Sequence, residues 1–156
     1  MIKGIFVLFH LDVRIFSNSC KDNEMDKDQY CRCPPGERVS VFSSQHSNKK
    51  EDRVWSLECE KIAADRPFDA SAMYHETGHI NSFDGAMDWS GIHENSFLVG
   101  MESYHSGKKE DRRYNFFFQN SEHWVLTKCV TNKQVNVYDG DLHVVLDADK
   151  VIAGNE

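Results

Sequence analysis

Two groups of residues in this chain have the types and spacing that chemistry needs. The first is His75-Glu76-Thr77-Gly78-His79. On a helix, His-Glu-x-x-His sets two imidazoles one turn apart on one face to hold zinc, with the glutamate as general base. The stretch before it, Asp69-Ala70-Ser71-Ala72-Met73-Tyr74, suits a helix, and the chemistry would be zinc-dependent hydrolysis. Four features weigh against it. Gly78 costs such a helix ~1 kcal/mol. The extended form of the motif needs Gly at position 82 and His at position 85, where Ser82 and Gly85 stand. Nothing singles out Glu94 or Glu102 as a third ligand, and His79 lies just before Asn81, where a repeat unit opens. Zinc hydrolysis through His75, Glu76 and His79 is therefore the alternative, and the expectation is a protein with no catalytic residues and no cofactor.

The second group occurs twice. His46-Ser47-Asn48-Lys49-Lys50-Glu51-Asp52-Arg53 returns as His105-Ser106-Gly107-Lys108-Lys109-Glu110-Asp111-Arg112, 59 residues on, with only Asn48 changed. An aromatic follows at the same offset, Trp55 and Tyr114. Within the motif, Glu51 and Asp52 are expected to fold back onto Arg53 and nearby backbone NH groups, and Glu110 and Asp111 likewise onto Arg112, because a carboxylate and a guanidinium pair well in a fork. Those residues, with Trp55 and Tyr114, are assigned to structure. The lysines have no role inside the motif. His46, Lys49, Lys50, His105, Lys108, Lys109 and Arg113 are the candidate site for an anionic ligand, a sulfated sugar or a carboxylate-rich partner, whose binding would fall steeply with salt.

The elements that must carry these loops are strands. Long helical periodicity is absent, and short runs rich in Val, Phe, Tyr and Trp are bounded by Gly, Asn, Asp and Ser. Trp55, Leu57 and Cys59 alternate with more polar residues, as do Tyr114, Phe116 and Phe118 with Phe117 as the exception, so each loop leads into a half-buried antiparallel strand. Val39-Ser40-Val41-Phe42 and Phe97-Leu98-Val99-Gly100-Met101 lead into the loops from the other side, so each loop is the tip of a hairpin. Phe117 is either covered by another unit or a sticky exposed contact. Trp55 belongs in the core; Trp89 and Trp124 are not assigned.

A further repeat opens each unit: Asn23-Glu24-Met25-Asp26, Asn81-Ser82-Phe83-Asp84 and Asn136-Val137-Tyr138-Asp139, the last two followed by Gly85 and Gly140 that mark a turn. The units run over about 23–62, 81–120 and 136–156, and the third is expected to be incomplete, because Glu156 falls where its loop would begin. Period-59 alignment sets Cys33 against Ile92 and Cys59 against Phe118. Both cysteines are replaced together by apolar residues, as a bonded pair would be, so a Cys33–Cys59 disulfide is expected, with Ile92 near Phe118 in the second unit. The partners of Cys20, Cys31 and Cys129 stay open.

Composition bounds the rest. A chain of 156 residues is one domain by prior and large enough to bury a core without disulfides. Acidic residues number 25 against 18 Lys and Arg, a formal charge of −7, which argues against nucleic acid as a general partner. Residues 1–19 start with a positive charge and an apolar run, then meet His10, Asp12 and Arg14, and read as a degraded signal peptide or as a β-strand. No stretch is long enough to span a membrane as a helix.

Taken together, Asn-x-(Phe/Tyr)-Asp, Cys33-Pro34, and Ser44-x-His46 leading to Glu51-Asp52-Arg53-Val54-Trp55 and Cys59 resemble the dermatopontin family over residues 20–156. These are the tyrosine-rich acidic matrix proteins, whose invertebrate relatives include haemagglutinins and cytotoxin-like proteins. The second copy departs from the pattern at Arg113-Tyr114 and in lacking both cysteines; the third lacks its loop, and the family's tyrosine-rich N-terminal region is missing. The resemblance implies a secreted, disulfide-bonded, non-enzymatic protein of the extracellular matrix. Its partners would be proteoglycans or glycosaminoglycans, collagen or cell-surface glycans, with self-association. The three-unit pattern suggests an all-β, pseudo-threefold domain of small antiparallel sheets, a β-prism ahead of a trefoil or sandwich, with its third unit truncated.

Overall fold

The computed structural model describes residues 23–62, 74–87, 95–121, 125–130, 136–137 and 139–153. Residues 1–19, Ile92, Trp89 and Trp124, about which expectations were stated above, lie outside them. The described residues form seven strands and no helix: β1 (Gln29–Arg32), β2 (Glu37–Ser47), β3 (Asp52–Lys61), β4 (Tyr74–Glu76), β5 (Ser96–Ser106), β6 (Asp111–Asn120) and β7 (Leu142–Val145). They make two antiparallel sheets, ordered β1-β5-β6-β4 and β3-β2-β7. The all-β expectation therefore holds.

The two long hairpins repeat each other closely. β2 pairs with β3 from Glu37↔Lys61 to Ser47↔Asp52, and β5 with β6 from Ser96↔Asn120 to Ser106↔Asp111. Each ladder slips once, between Val39 and Val41 and between Leu98 and Gly100, which are equivalent positions. Glu51 and Glu110 both adopt φ 50° where the chain turns into the second strand. The turns that open the three units also agree: Asp26, Asp84 and Asp139 have φ of 64°, 61° and 55°. One NH–carbonyl bond closes each turn, Lys27 to Glu24, Gly85 to Ser82 and Gly140 to Val137. Aspartate tolerates this left-handed geometry better than most residues, which is why it holds that position three times.

Chain order does not predict the pairing of the short strands. β1 precedes the first hairpin but pairs with β5 of the second, and β7 pairs with β2 of the first. Gly100 is what lets β1 approach: a Cβ there would sit 2.3 Å from the Cys31 carbonyl oxygen and 2.8 Å from Arg32 Cα.

The core lies between the sheets. Phe42 meets Trp55 at 5.0 Å between ring centres, Trp55 meets Tyr114 at 5.4 Å, and Phe42 meets Phe116 at 6.2 Å, so aromatics of both hairpins form one cluster. Burying each such ring is worth ~2–3 kcal/mol, with ~1 kcal/mol more for favourable edge-to-face pairs. Trp55, Leu57 and Cys59 alternate inward along β3 as expected. β6 departs from that pattern: Tyr114 through Gln119 are all buried. It is an interior strand between β5 and β4, and the Tyr30 ring of β1 lies 5.3 Å from that of Phe117. Phe117 is therefore covered by the opening strand of another unit.

Cys33 and Cys59 are bonded, with a sequence separation of 26 and 5.6 Å between Cα atoms. Cys31 is also disulfide-bonded, to a partner outside the described residues, and Cys129 is a free, exposed thiol. No helix among the described residues is long and apolar enough to cross a membrane.

Candidate functional site at the hairpin tips

The His-Glu-x-x-His segment does not form the helix that zinc binding requires. Tyr74–Glu76 is a strand paired with β6, so His75 and Glu76 point to opposite faces. Gly78 then turns with φ 68°, and His79 is exposed, its ring against Tyr104 at 5.5 Å. The helical turn that would stack the two imidazoles is replaced by a strand and a turn. Among the described residues, the three groups close enough to share a cation are Asp26, Asp52 and His105, none of them from this segment. Both Asp52 oxygens already bind a guanidinium, so a cation there would meet a fixed positive charge.

That guanidinium belongs to the other repeat. Arg112 donates from Nε to Asp52 Oδ1 at 2.5 Å and from Nη2 to Oδ2 at 2.8 Å. Its Nη1 reaches the Ser103 hydroxyl at 3.0 Å. The side chains are 2% and 1% exposed, so the pair is sealed from water. The expected closure of Asp52 onto Arg53 beside it gives way to a link between units. Neighbouring side chains on a strand point to opposite faces, so Arg53 is directed away from Asp52 while Arg112 faces it across the junction. Burial pushes the Asp52 carboxyl upward, but the Arg112 fork and the backbone NH groups of Asp26 and Arg53 outweigh that and hold it below the usual 3.8.

Asparagines clamp the start of each strand. Asn23 Nδ2 donates to the Arg53 carbonyl at 3.1 Å, and its Oδ1 accepts from the Trp55 NH at 2.7 Å. Asn81 does the same for the Arg112 carbonyl at 2.8 Å and the Tyr114 NH at 2.9 Å. The turn aspartate then presents its own NH to the hairpin carboxylate, Asp26 to Asp52 at 2.7 Å and Asp84 to Asp111 at 2.5 Å. This is the function of the Asn-x-x-Asp opener: it satisfies the buried ends of its own hairpin strand.

The tip histidines are drawn inward beside carboxylates. The His105 NH donates to Asp28 Oδ1 at 2.9 Å, and the His46 NH to Asp141 Oδ1 at 3.0 Å. Their rings, 4% and 9% exposed, lie 3.9 Å from Asp26 and 3.7 Å from Asp139. Asp28 and Asp141 were not singled out from sequence; they stand at matching offsets from Asn23 and Asn136, which was the available signal. Lys50 reaches Asp26 at 3.1 Å, so the tip of the first hairpin and the His105 end of the second meet at one carboxylate. Lys49, Lys108 and Lys109 are exposed at the turns. Arg113 lies over the Phe83 ring at 5.1 Å. The described contact between the two tips is thus through Asp26, which Lys50 and His105 both approach.

Comparison with known proteins bears on this arrangement. The family model of dermatopontin matches residues 23–156. A hemagglutinin/amebocyte aggregation factor of Limulus polyphemus is 28% identical over 134 residues, 85% of this chain and 74% of that protein. A dermatopontin of Biomphalaria glabrata is 28% identical over 123 residues, 79% of this chain and 78% of that protein. Millepora cytotoxin-1 of Millepora dichotoma is 28% identical over 134 residues, 86% of this chain but 57% of that protein. No solved structure matches the chain significantly. The matched region takes in every described strand, both hairpins and all three Asn-x-x-Asp openers, and the chain belongs to the dermatopontin family.

Proposed function

We propose that this chain is a secreted, non-enzymatic binding module of the extracellular matrix. It would hold anionic matrix components, glycosaminoglycan chains of proteoglycans above all, and support matrix assembly or cell adhesion. Collagen and cell-surface glycans are the further partners of this reading, with self-association. The observation that supports it is the Asp26 carboxylate, approached by Lys50 of the first tip and by His105 of the second, with exposed Lys49, Lys108 and Lys109 in the same two turns. Two lysine pairs on one chain would suit a repeating polyanion better than either pair alone. The relative named as a hemagglutinin and aggregation factor supports contact with cell surfaces. The segment His75–His79, being strand and turn, lacks the helical spacing that the zinc alternative would use, which favours this reading.

The chain would be built as three units about a pseudo-threefold axis, as in a β-prism. Three facts support this. The opening strand of the first unit lies on the second hairpin, and that of the third lies on the first hairpin. Asp28 caps His105 as Asp141 caps His46. The three opening turns share one conformation.

Retention on a heparin column tests the binding reading. The wild-type chain is expected to elute with modest salt, and the variant with Lys49, Lys50, Lys108 and Lys109 all changed to Ala is expected in the flow-through. Equal retention of the two would remove the lysines as the site.

A further inference from the structure

The two hairpins match in outline, but the outer faces of their sheets are filled differently. On the first, Ser43 stands opposite both Ser56 of β3 and His143 of β7, and Gln45 opposite Val54. These side chains leave a hollow of about 290 Å³, with Asp141 also in its wall. The second hairpin carries Glu102, Tyr104, Arg113 and Asn115 at the positions of Ser43, Gln45, Val54 and Ser56. There the side chains meet across the ladder, Asn115 Nδ2 donating to Glu102 Oε2 at 3.3 Å. The hollow thus follows from short side chains within a repeat whose backbone is kept. Its polar groups are largely uncommitted. Ser43 Oγ donates to the Ser56 carbonyl at 3.4 Å, a long bond. Asp141 Oδ1 accepts the His46 NH at 3.0 Å, which orients the carboxylate. Among the described residues, Asp141 Oδ2, the Gln45 amide, the Ser56 hydroxyl and the His143 ring have no hydrogen-bond partner.

We propose that this hollow binds one uncharged sugar unit of a glycan. Sugar hydroxyls both donate and accept, and the lining offers both roles: the Asp141 carboxylate accepts, the Gln45 amide donates, and the serine hydroxyls do either. Val54 supplies apolar surface for the C–H face of a sugar ring. The volume lies near the ~300 Å³ lower end of small-molecule sites, which suits a single ring rather than a chain. Charge sets the class. Among the described residues no lysine or arginine lines the hollow, so a sulfate or carboxylate would meet Asp141 with no fixed cation to offset it. This rests on the cell-surface glycan part of the function proposed above, at a place separate from the tip lysines and with the opposite charge preference.

Saturation-transfer NMR on the intact chain tests this with neutral probes: methyl β-galactoside, methyl α-mannoside, methyl β-glucoside and methyl α-fucoside. At least one is expected to bind saturably. Asp141→Asn keeps an oxygen for the His46 NH and is expected to weaken that binding at least ~10-fold. Ser43→Glu with Ser56→Asn sets in the first hairpin the pair that the second already holds at Glu102 and Asn115, and is expected to abolish binding by filling the hollow. Either variant decides the matter if the other fails to fold. Methyl β-glucuronide, the glucoside with a carboxylate added, is expected to be refused. Binding of none of the neutral probes, equal binding by the folded variants, or preference for the glucuronide overturns the proposal. The variant lacking the four tip lysines is expected to bind the neutral probe as the wild type does, so loss of heparin retention and loss of sugar binding are read apart.

Discussion

Asp52 and Arg112 carry the same sequence motif in different repeats, and they are bonded to each other through two parallel contacts of 2.5 and 2.8 Å. Each motif thus holds its neighbour in place. Two consecutive residues of an extended strand face opposite ways, and a motif that ends in Asp-Arg can therefore reach across a junction with either member.

This link makes two arginines with identical local sequence unequal. Replacing Arg112 by Met leaves Asp52 charged and buried, and is expected to cost ~3–5 kcal/mol in urea unfolding. Arg53→Met removes a half-exposed contact to Ser44 and is expected to cost less than ~1 kcal/mol. Equal losses would mean that the inter-unit pair contributes nothing special.

The same pair predicts an acid limb. The folded Asp52 carboxyl titrates below 3.8, so an unfolded chain takes up a proton there that the folded chain refuses. Its contribution is fully present above 3.8 and is lost as pH falls through the lower folded value. Urea midpoints followed from about pH 6 to about pH 2 are expected to fall less steeply in Asp52→Asn than in the wild type.

The Cys33–Cys59 bond closes a loop spanning 26 residues around the first hairpin. By chain entropy alone, Cys33→Ser with Cys59→Ser is expected to lose ~3.5 kcal/mol. The matching second hairpin has no disulfide at this offset, so hydrogen exchange in β5 and β6 is expected to stay slow after β2 and β3 have become labile. Uniform acceleration across both hairpins would show instead that the bond supports the whole core.

Gly100 predicts a large effect from a small change. An added methyl would meet backbone atoms of Cys31 and Arg32, which no rotamer change can relieve. Gly100→Ala is expected to destabilise by ~2–3 kcal/mol and to free β1 first, read as rising Tyr30 exposure. Gly107→Ala, with nothing within 4 Å of the new carbon, serves as the control.

How much of this was legible beforehand follows from the physics of each element. The hairpins, their tips and the inward set Trp55, Leu57 and Cys59 were readable because period two and a repeat leave local signatures. The Cys33–Cys59 bond was readable because its two ends vary together between repeats. The His75–His79 motif misled because its two histidines stand one turn apart only on a helix, whereas β4 pairing with β6 and the turn at Gly78 imposed an extended segment there. The capping aspartates Asp28 and Asp141 went unnoticed because their partners lie in another unit.

By itself, then, the sequence determined the kind of strands, the two equivalent hairpins and the residue types at their tips. The tertiary structure decided which unit each group serves. Equal motifs present equal charges, so nothing local tells Asp52 whether its arginine is Arg53 or Arg112. Only the crossing of β1 onto β5 and of β7 onto β2, with the strand faces that result, makes that choice.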